Sequence, residues 1–194
     1  MSLRPNLVRG AAVLAALSLV CGAALAARSY SDRIGDVQGG SAPDLASVTV
    51  SNTKTKITFG VRFAATPPLG VSESEGWIDM LIIGIDTPPL GKQPVPGGDW
   101  PGANFLLATH GGMNTGVMQR AVPSGSPPFR QVATFEIVTR GSTLTFSIPR
   151  RTLGKNTASF RFLVAAGRET TQEGQGGGGD YAPARGSFRY LLTS

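Results

Sequence analysis

The run Lys56–Phe63, KITFGVRF, constrains this chain more tightly than any other. Ile57, Phe59, Val61 and Phe63 alternate with Thr58, Gly60 and Arg62. Successive side chains of an extended strand leave on opposite faces, so strict period two predicts a strand with one face in a core and one in water. A helix would scatter the same apolar side chains around its circumference. The alternation returns at Val48 and Val50, at Leu144, Phe146 and Ile148, and at Phe188, Tyr190 and Leu192.

The segment WIDMLIIGID, Trp77 to Asp86, breaks the pattern: it is apolar on both faces apart from Asp79. That predicts a central strand covered on both sides. ANFLLATH, TGVMQRAV, QVATFEIV and SFRFLVAAG bring the set to about nine short strands. SNTKTK and GGMNTG have the composition of hairpin connections, and RRTLGKN after Pro149 reads as a single short turn. EGQGGGGD, from Glu173 to Asp180, reads as a flexible loop between the last two expected strands. The chain is therefore expected to be all-β, a single antiparallel jelly-roll-like β-sandwich.

Composition narrows the alternatives. With 26 Gly, 14 Pro and only 15% charged residues, a coiled coil or long-helix protein is excluded. A 41% hydrophobic share is enough for one core, and the single Cys21 excludes a disulfide framework. At the start, Arg4 and Arg9 precede the apolar stretch Ala11 to Ala26, which ends in Ala24-Leu25-Ala26. A basic region, an apolar region and a small-x-small site predict a signal peptide over 1–26 and a secreted or extracytoplasmic chain. The stretch is shorter than the roughly 20 apolar residues of a spanning helix, so no stable membrane insertion is expected after cleavage. An uncleaved anchor is the alternative. Cleavage removes Cys21 and both early arginines, lowering the formal charge from +6 to +4. Residues 27–44 then form a polar lead-in and 45–194 the β-domain.

Several short motifs recur in order. They are Asp32-Arg33-Ile34-Gly35-Asp36, Ala42-Pro43-Asp44-Leu45, Asp86-Thr87-Pro88, Gly102-Ala103-Asn104-Phe105 and Asp180-Tyr181-Ala182-Pro183-Ala184. The series resembles secreted bacterial β-sandwich domains related to family-nine carbohydrate-binding modules and to DOMON-type domains, from about Asp32 to Leu192. In that group the elements usually read D-x-x-G-D, A-P-D-[IL], D-T-D-x-N, G-A-D-Y and D-x-A-P-D-x-G. The resemblance implies calcium held by acidic loops. Pro88, Asn104 and Ala184 stand where the group carries carboxylates, so affinity is expected to fall towards the millimolar range or vanish.

Calcium takes about six to eight oxygens, chiefly carboxylates and loop carbonyls. The acids that remain as candidate ligands are Asp36, Asp44, Asp86 and Asp180, with Asp99 in the same class of loop and Asn104 as a carbonyl donor. The competing reading is that each simply caps a turn. For a glycan, the candidates are Trp100 in the loop GGDWPG, Tyr181 after the Gly-rich run, and Asn104. Trp77, at the start of the most apolar strand, is expected in the core.

Catalysis is not expected. His110 is the only histidine, and no nucleophile motif such as G-x-S-x-G accompanies it. Glu73 with Glu75, or Asp86 with Asp99, are carboxylate pairs in polar loops without further support for hydrolysis. Haem ligation by His110 with Met113 or Met118 lacks facing positions across a slot. Arginines are spread singly, with Arg150-Arg151 the only adjacent pair, so no nucleic-acid partner is expected. The expectation is a non-catalytic module binding a glycan or envelope polymer, with no cofactor beyond calcium. The rival is a structural or adhesive domain whose acidic loops hold calcium weakly or not at all.

Overall fold

The computed structural model describes residues 27–89, 94–95, 100–123, 127–170 and 178–193. The leader expected over 1–26, residues 173–177 of the Gly-rich run and Asp99 lie outside the described residues. The strands are β1 (Arg28–Ser31), β2 (Leu45–Asn52), β3 (Lys56–Phe63), β4 (Val71–Ser72), β5 (Trp77–Asp86) and β6 (Phe105–His110). They continue with β7 (Thr115–Ala121), β8 (Phe129–Arg140), β9 (Thr143–Pro149), β10 (Ser159–Thr170), β11 (Gly179–Ala182) and β12 (Phe188–Leu191). A 3-10 turn at Arg150–Leu153 is the one helical element among the described residues. No helix there is long and apolar enough to cross a membrane.

All pairings are antiparallel, in the order β1-β2-β3-β9-β8-β7-β6-β5-β10-β11, with β4 also on β5 and β12 also on β10. β5 is central as expected, flanked by β6 and β10. Among the described residues twelve strands stand where about nine were expected. The additions are β1, inside the supposed polar lead-in, the two-residue β4, and β11, which takes up the end of the Gly-rich run. None of the three alternates in hydrophobicity, because each is short and held chiefly by its neighbours. In β1, Tyr30 alone turns inward, edge-on to Phe162 at 5.2 Å and tilted on Phe188 at 4.6 Å.

The core lies between the strands of the two ends of this path. Ile57, Phe59, Val61 and Phe63 are at most 1% exposed, while Thr58 and Gly60 are half-buried and Arg62 is exposed. Phe59 stacks on Phe146 at 5.7 Å and meets Phe162 edge-on at 5.9 Å. Each such fully buried side chain contributes about 1.5–3 kcal/mol. Tyr190 is buried beside Phe160, and its hydroxyl donates to Asn52 Oδ1 at 3.0 Å, so the phenol is satisfied.

The ends of the path come together. β11 approaches β2, where the Leu45 N–H donates to Asp180 Oδ2 at 2.6 Å. Just before β2, Gln38 and Gly179 exchange two backbone hydrogen bonds of 2.8 Å. The sheet is thereby a nearly closed, barrel-like antiparallel structure. Elsewhere it opens. The ladder of β8 on β7 ends at Glu136, and its ladder on β9 begins at Ile137.

Candidate metal centre

The closing seam gathers acids. Asp32 follows β1, Asp36 lies in the turn after it, Asp44 immediately precedes β2, and Asp180 belongs to β11. The Asp32 N–H donates to the Ala46 carbonyl at 3.1 Å, which extends the β1–β2 ladder and fixes where this carboxylate begins. The chain then reverses at Gly35, whose φ of +88° is open to glycine at no steric expense. The Gly35 N–H donates to Asp44 Oδ2 at 2.8 Å, tying both sides of the turn.

Carboxylate oxygens of Asp32, Asp36 and Asp180 lie within 4.8 Å of one another. Asp180, 2% exposed, spends one oxygen on the Leu45 N–H and the other on the Tyr181 N–H at 2.7 Å. The remaining acids are less well served. Asp32 Oδ2, Asp36 Oδ1 and Asp44 Oδ1 are buried without a hydrogen-bond partner. Burial, then the negative charges of Asp180, Asp36 and Asp44, push the Asp32 carboxyl up to about 6. Burial likewise raises Asp180, against the backbone donors that lower it. Buried polar oxygens are ordinarily satisfied, and like charges at this spacing repel. A hard cation answers both at once, and carboxylate oxygens are the donors it selects. The donor set fits calcium, with Asp32, Asp36 and Asp180 as the residues that would hold it, and Asp44 adds negative charge nearby.

Asp86 does not join this group. It lies opposite Arg161 in the β5–β10 register, is 1% exposed, and accepts from that guanidinium at 2.7 and 3.1 Å. At the other end of the same ladder Arg168 pairs with Asp79 at 2.7 Å. The pairing neutralises Asp86, whose Oδ1 is also buried without a hydrogen-bond partner, and Asp86 lies outside the Asp32–Asp36–Asp180 group. Asn104 is also engaged: its Oδ1 accepts from the Thr87 N–H at 2.6 Å and the Thr87 hydroxyl at 3.0 Å, pinning the loop to the end of β5.

The two tryptophans exchange their expected places. Trp100 is 7% exposed, at φ +41°, and packs against Gly84 on the outer face of β5. A Cβ at Gly84 would come within 2.8 Å of its ring, so glycine makes the slot that takes the indole. With Ala103, Leu106, Leu163 and Ala165 it forms a second apolar layer, which is why β5 is apolar on both faces. Trp77, expected in the core, is half-buried beneath Arg168, 3.6 Å from the ring centroid. Tyr181 is half-buried and lines a shallow cavity of ≈ 390 Å³ with Gln38, Leu163 and Pro183.

His110 is exposed and lines a cavity of ≈ 230 Å³ with Met113, whereas Met118 is fully buried in the core. The Trp77 indole N–H donates to Glu75, which leaves the Glu73–Glu75 pair in an exposed turn. Asp32 is absent from the ligand set expected from the sequence, although it is the first letter of D-x-x-G-D. Its position four residues before Asp36, across a glycine turn, was the available signal. No family model, curated protein or solved structure matches this chain.

Proposed function

We propose that this chain is an exported, non-catalytic β-domain that holds calcium at its acidic seam and recognises a glycan or other envelope polymer beside it. The observation that carries the metal reading is the pair of buried, unpartnered oxygens on Asp32 and Asp36, gathered with Asp180 within 4.8 Å. Bound calcium would supply the positive charge that lets the three clustered carboxylates stay ionised at neutral pH. Asp180 already orients β11 against β2, so the ion would reinforce an existing closure rather than create it. The resemblance to carbohydrate-binding and DOMON-type sandwiches belongs to the same reading. So does the finer architecture, a jelly-roll-like sandwich, which is supported by β2, β3 and β9 sharing one core with β5, β6 and β10.

With Trp100 buried, recognition falls to Tyr181. Its backbone N–H donates to Asp180, so the cavity it lines and the acidic seam share β11. A sugar ring would stack on the half-buried phenol, with the Gln38 amide at the rim supplying a donor and an acceptor.

One experiment tests both parts: melting and glycan-array binding of the folded domain, in chelator and in about 10 mM calcium. For a Kd near 0.1 mM, the stabilisation is about 2.7 kcal/mol, or roughly 5–10 °C in a domain of this size. Superimposable melts in chelator and calcium would overturn the metal reading. Glycan binding that survives Tyr181→Ala unchanged would overturn the recognition reading.

A further inference from the structure

The second opening in the barrel has the opposite chemistry. Because β8 leaves β7 at Glu136 and joins β9 only from Ile137 to Arg140, the strands splay below that point. Along Phe129–Glu136, β8 pairs with β7 on one side and with no described strand on the other. Ser147 to Pro149 of β9 pair with β3 and likewise face no described strand on their other side. Two open strand edges thus flank a groove of ≈ 740 Å³, within the usual range of ligand sites.

Its floor is apolar and fixed. The Phe135 and Phe146 rings stack with centroids 4.7 Å apart, and Phe135 lies over Gly116, where a Cβ would collide with the ring. Its rim is basic. Lys54, Lys56 and Arg151 line it, with Glu136 the one carboxylate among the lining residues. Lys54 and Lys56 are exposed, in the β2–β3 turn and at the first residue of β3.

We propose that this groove binds an extended, acidic peptide segment of a partner protein by strand addition. Open strand edges offer backbone donors and acceptors in register for another strand. The phenylalanine floor takes alternate apolar side chains, and the lysine and arginine rim meets carboxylates on the other face. A polyanionic glycan would use the rim but not the two edges, which favours a peptide.

The test uses fluorescent Glu-Val repeat decapeptides and the folded domain, read by anisotropy. Binding of (Glu-Val)5 is expected, with at least a tenfold loss for (Lys-Val)5 and for (Glu-Val)5 carrying N-methyl groups on alternate amides. The double variant Lys54→Glu/Lys56→Glu should lose at least tenfold while melting like the parent. Equal binding of the methylated peptide would overturn strand addition, and equal binding of (Lys-Val)5 would overturn the charge argument. No binding of any peptide, or displacement of the peptide by self-association in sedimentation, would overturn the assignment of a partner strand. None of these readouts depends on calcium, so the groove and the acidic seam succeed or fail separately.

Discussion

Where β11 meets β2, the barrel is drawn together over four aspartates; where β8 parts from β9, it stands open over stacked phenylalanines with a lysine and arginine rim. Both openings are irregularities in one antiparallel sheet, yet they have been finished with opposite charges. At the acidic seam, backbone hydrogen bonds close the gap and leave carboxylate oxygens unpartnered in the interior. At the basic groove, side chains are content and the strand edges are left open. Among the described residues, no ion pair reaches the clustered aspartates of the first, and no strand lies between the open edges of the second. The formal charge of +6 conceals this segregation, because it averages over both places.

The comparison can be broken at its common base first. Both regions rest on the Phe59 cluster, so Phe59→Ala should lower stability by about 3–5 kcal/mol, while Thr58→Ala on the outer face should change it far less. Urea unfolding of the two variants reads this directly. Equal effects would mean that the β3 register is wrong.

Next in size is the closure itself. Asp180→Ala leaves the N–H groups of Leu45 and Tyr181 without their acceptor, and each orphaned donor costs about 1–3 kcal/mol when buried. A loss of about 2–4 kcal/mol is expected, in chelator as well as in calcium, because these bonds need no ion. A loss seen only in calcium would show that Asp180 acts solely through the metal.

The smallest effect is the most discriminating, because it changes sign. The Asp32 carboxyl, at about 6 when folded against an ordinary value of 3.8, binds its proton more tightly in the folded state. In chelator, the Asp32 contribution to stability should therefore be fullest below about pH 4, fall as pH rises to about 6, and level off above it. Asp32→Asn should shrink that fall, leaving the part that Asp180 contributes, and raise stability at neutral pH. In calcium the same variant should lower it, by about 1.4 kcal/mol for each tenfold weakening of the ion. Melting curves across pH in both conditions check the crossing. A variant that is less stable in both would make Asp32 a structural acceptor rather than a ligand.

What the sequence determined by itself is local. Period two in Ile57–Phe63 and in Leu144–Ile148 placed β3 and β9 and their buried faces, since alternation is a property of one strand. The double cover of β5 was legible in WIDMLIIGID, and the hairpins β2–β3 and β6–β7 in the composition of their turns. The short strands β1, β4 and β11 were not legible, because their pairing energy comes from neighbours distant in the chain. Of the candidate site, Asp36 and Asp180 stand in recognisable motifs and the structure gathers them with Asp32, absent from the expected ligands, whereas Asp86 is drawn into an ion pair and Trp100 into the apolar layer on β5. Their roles follow from partners. Asp86 is taken by Arg161, 75 positions away, and the Leu45 N–H is met by Asp180, 135 positions away. Trp100 is buried because Gly84 leaves room for an indole, and Trp77 stays half-exposed because Arg168 lies over it. Coulomb forces and ring packing act over a few ångströms, and only the register of non-neighbouring strands decides which groups come that close.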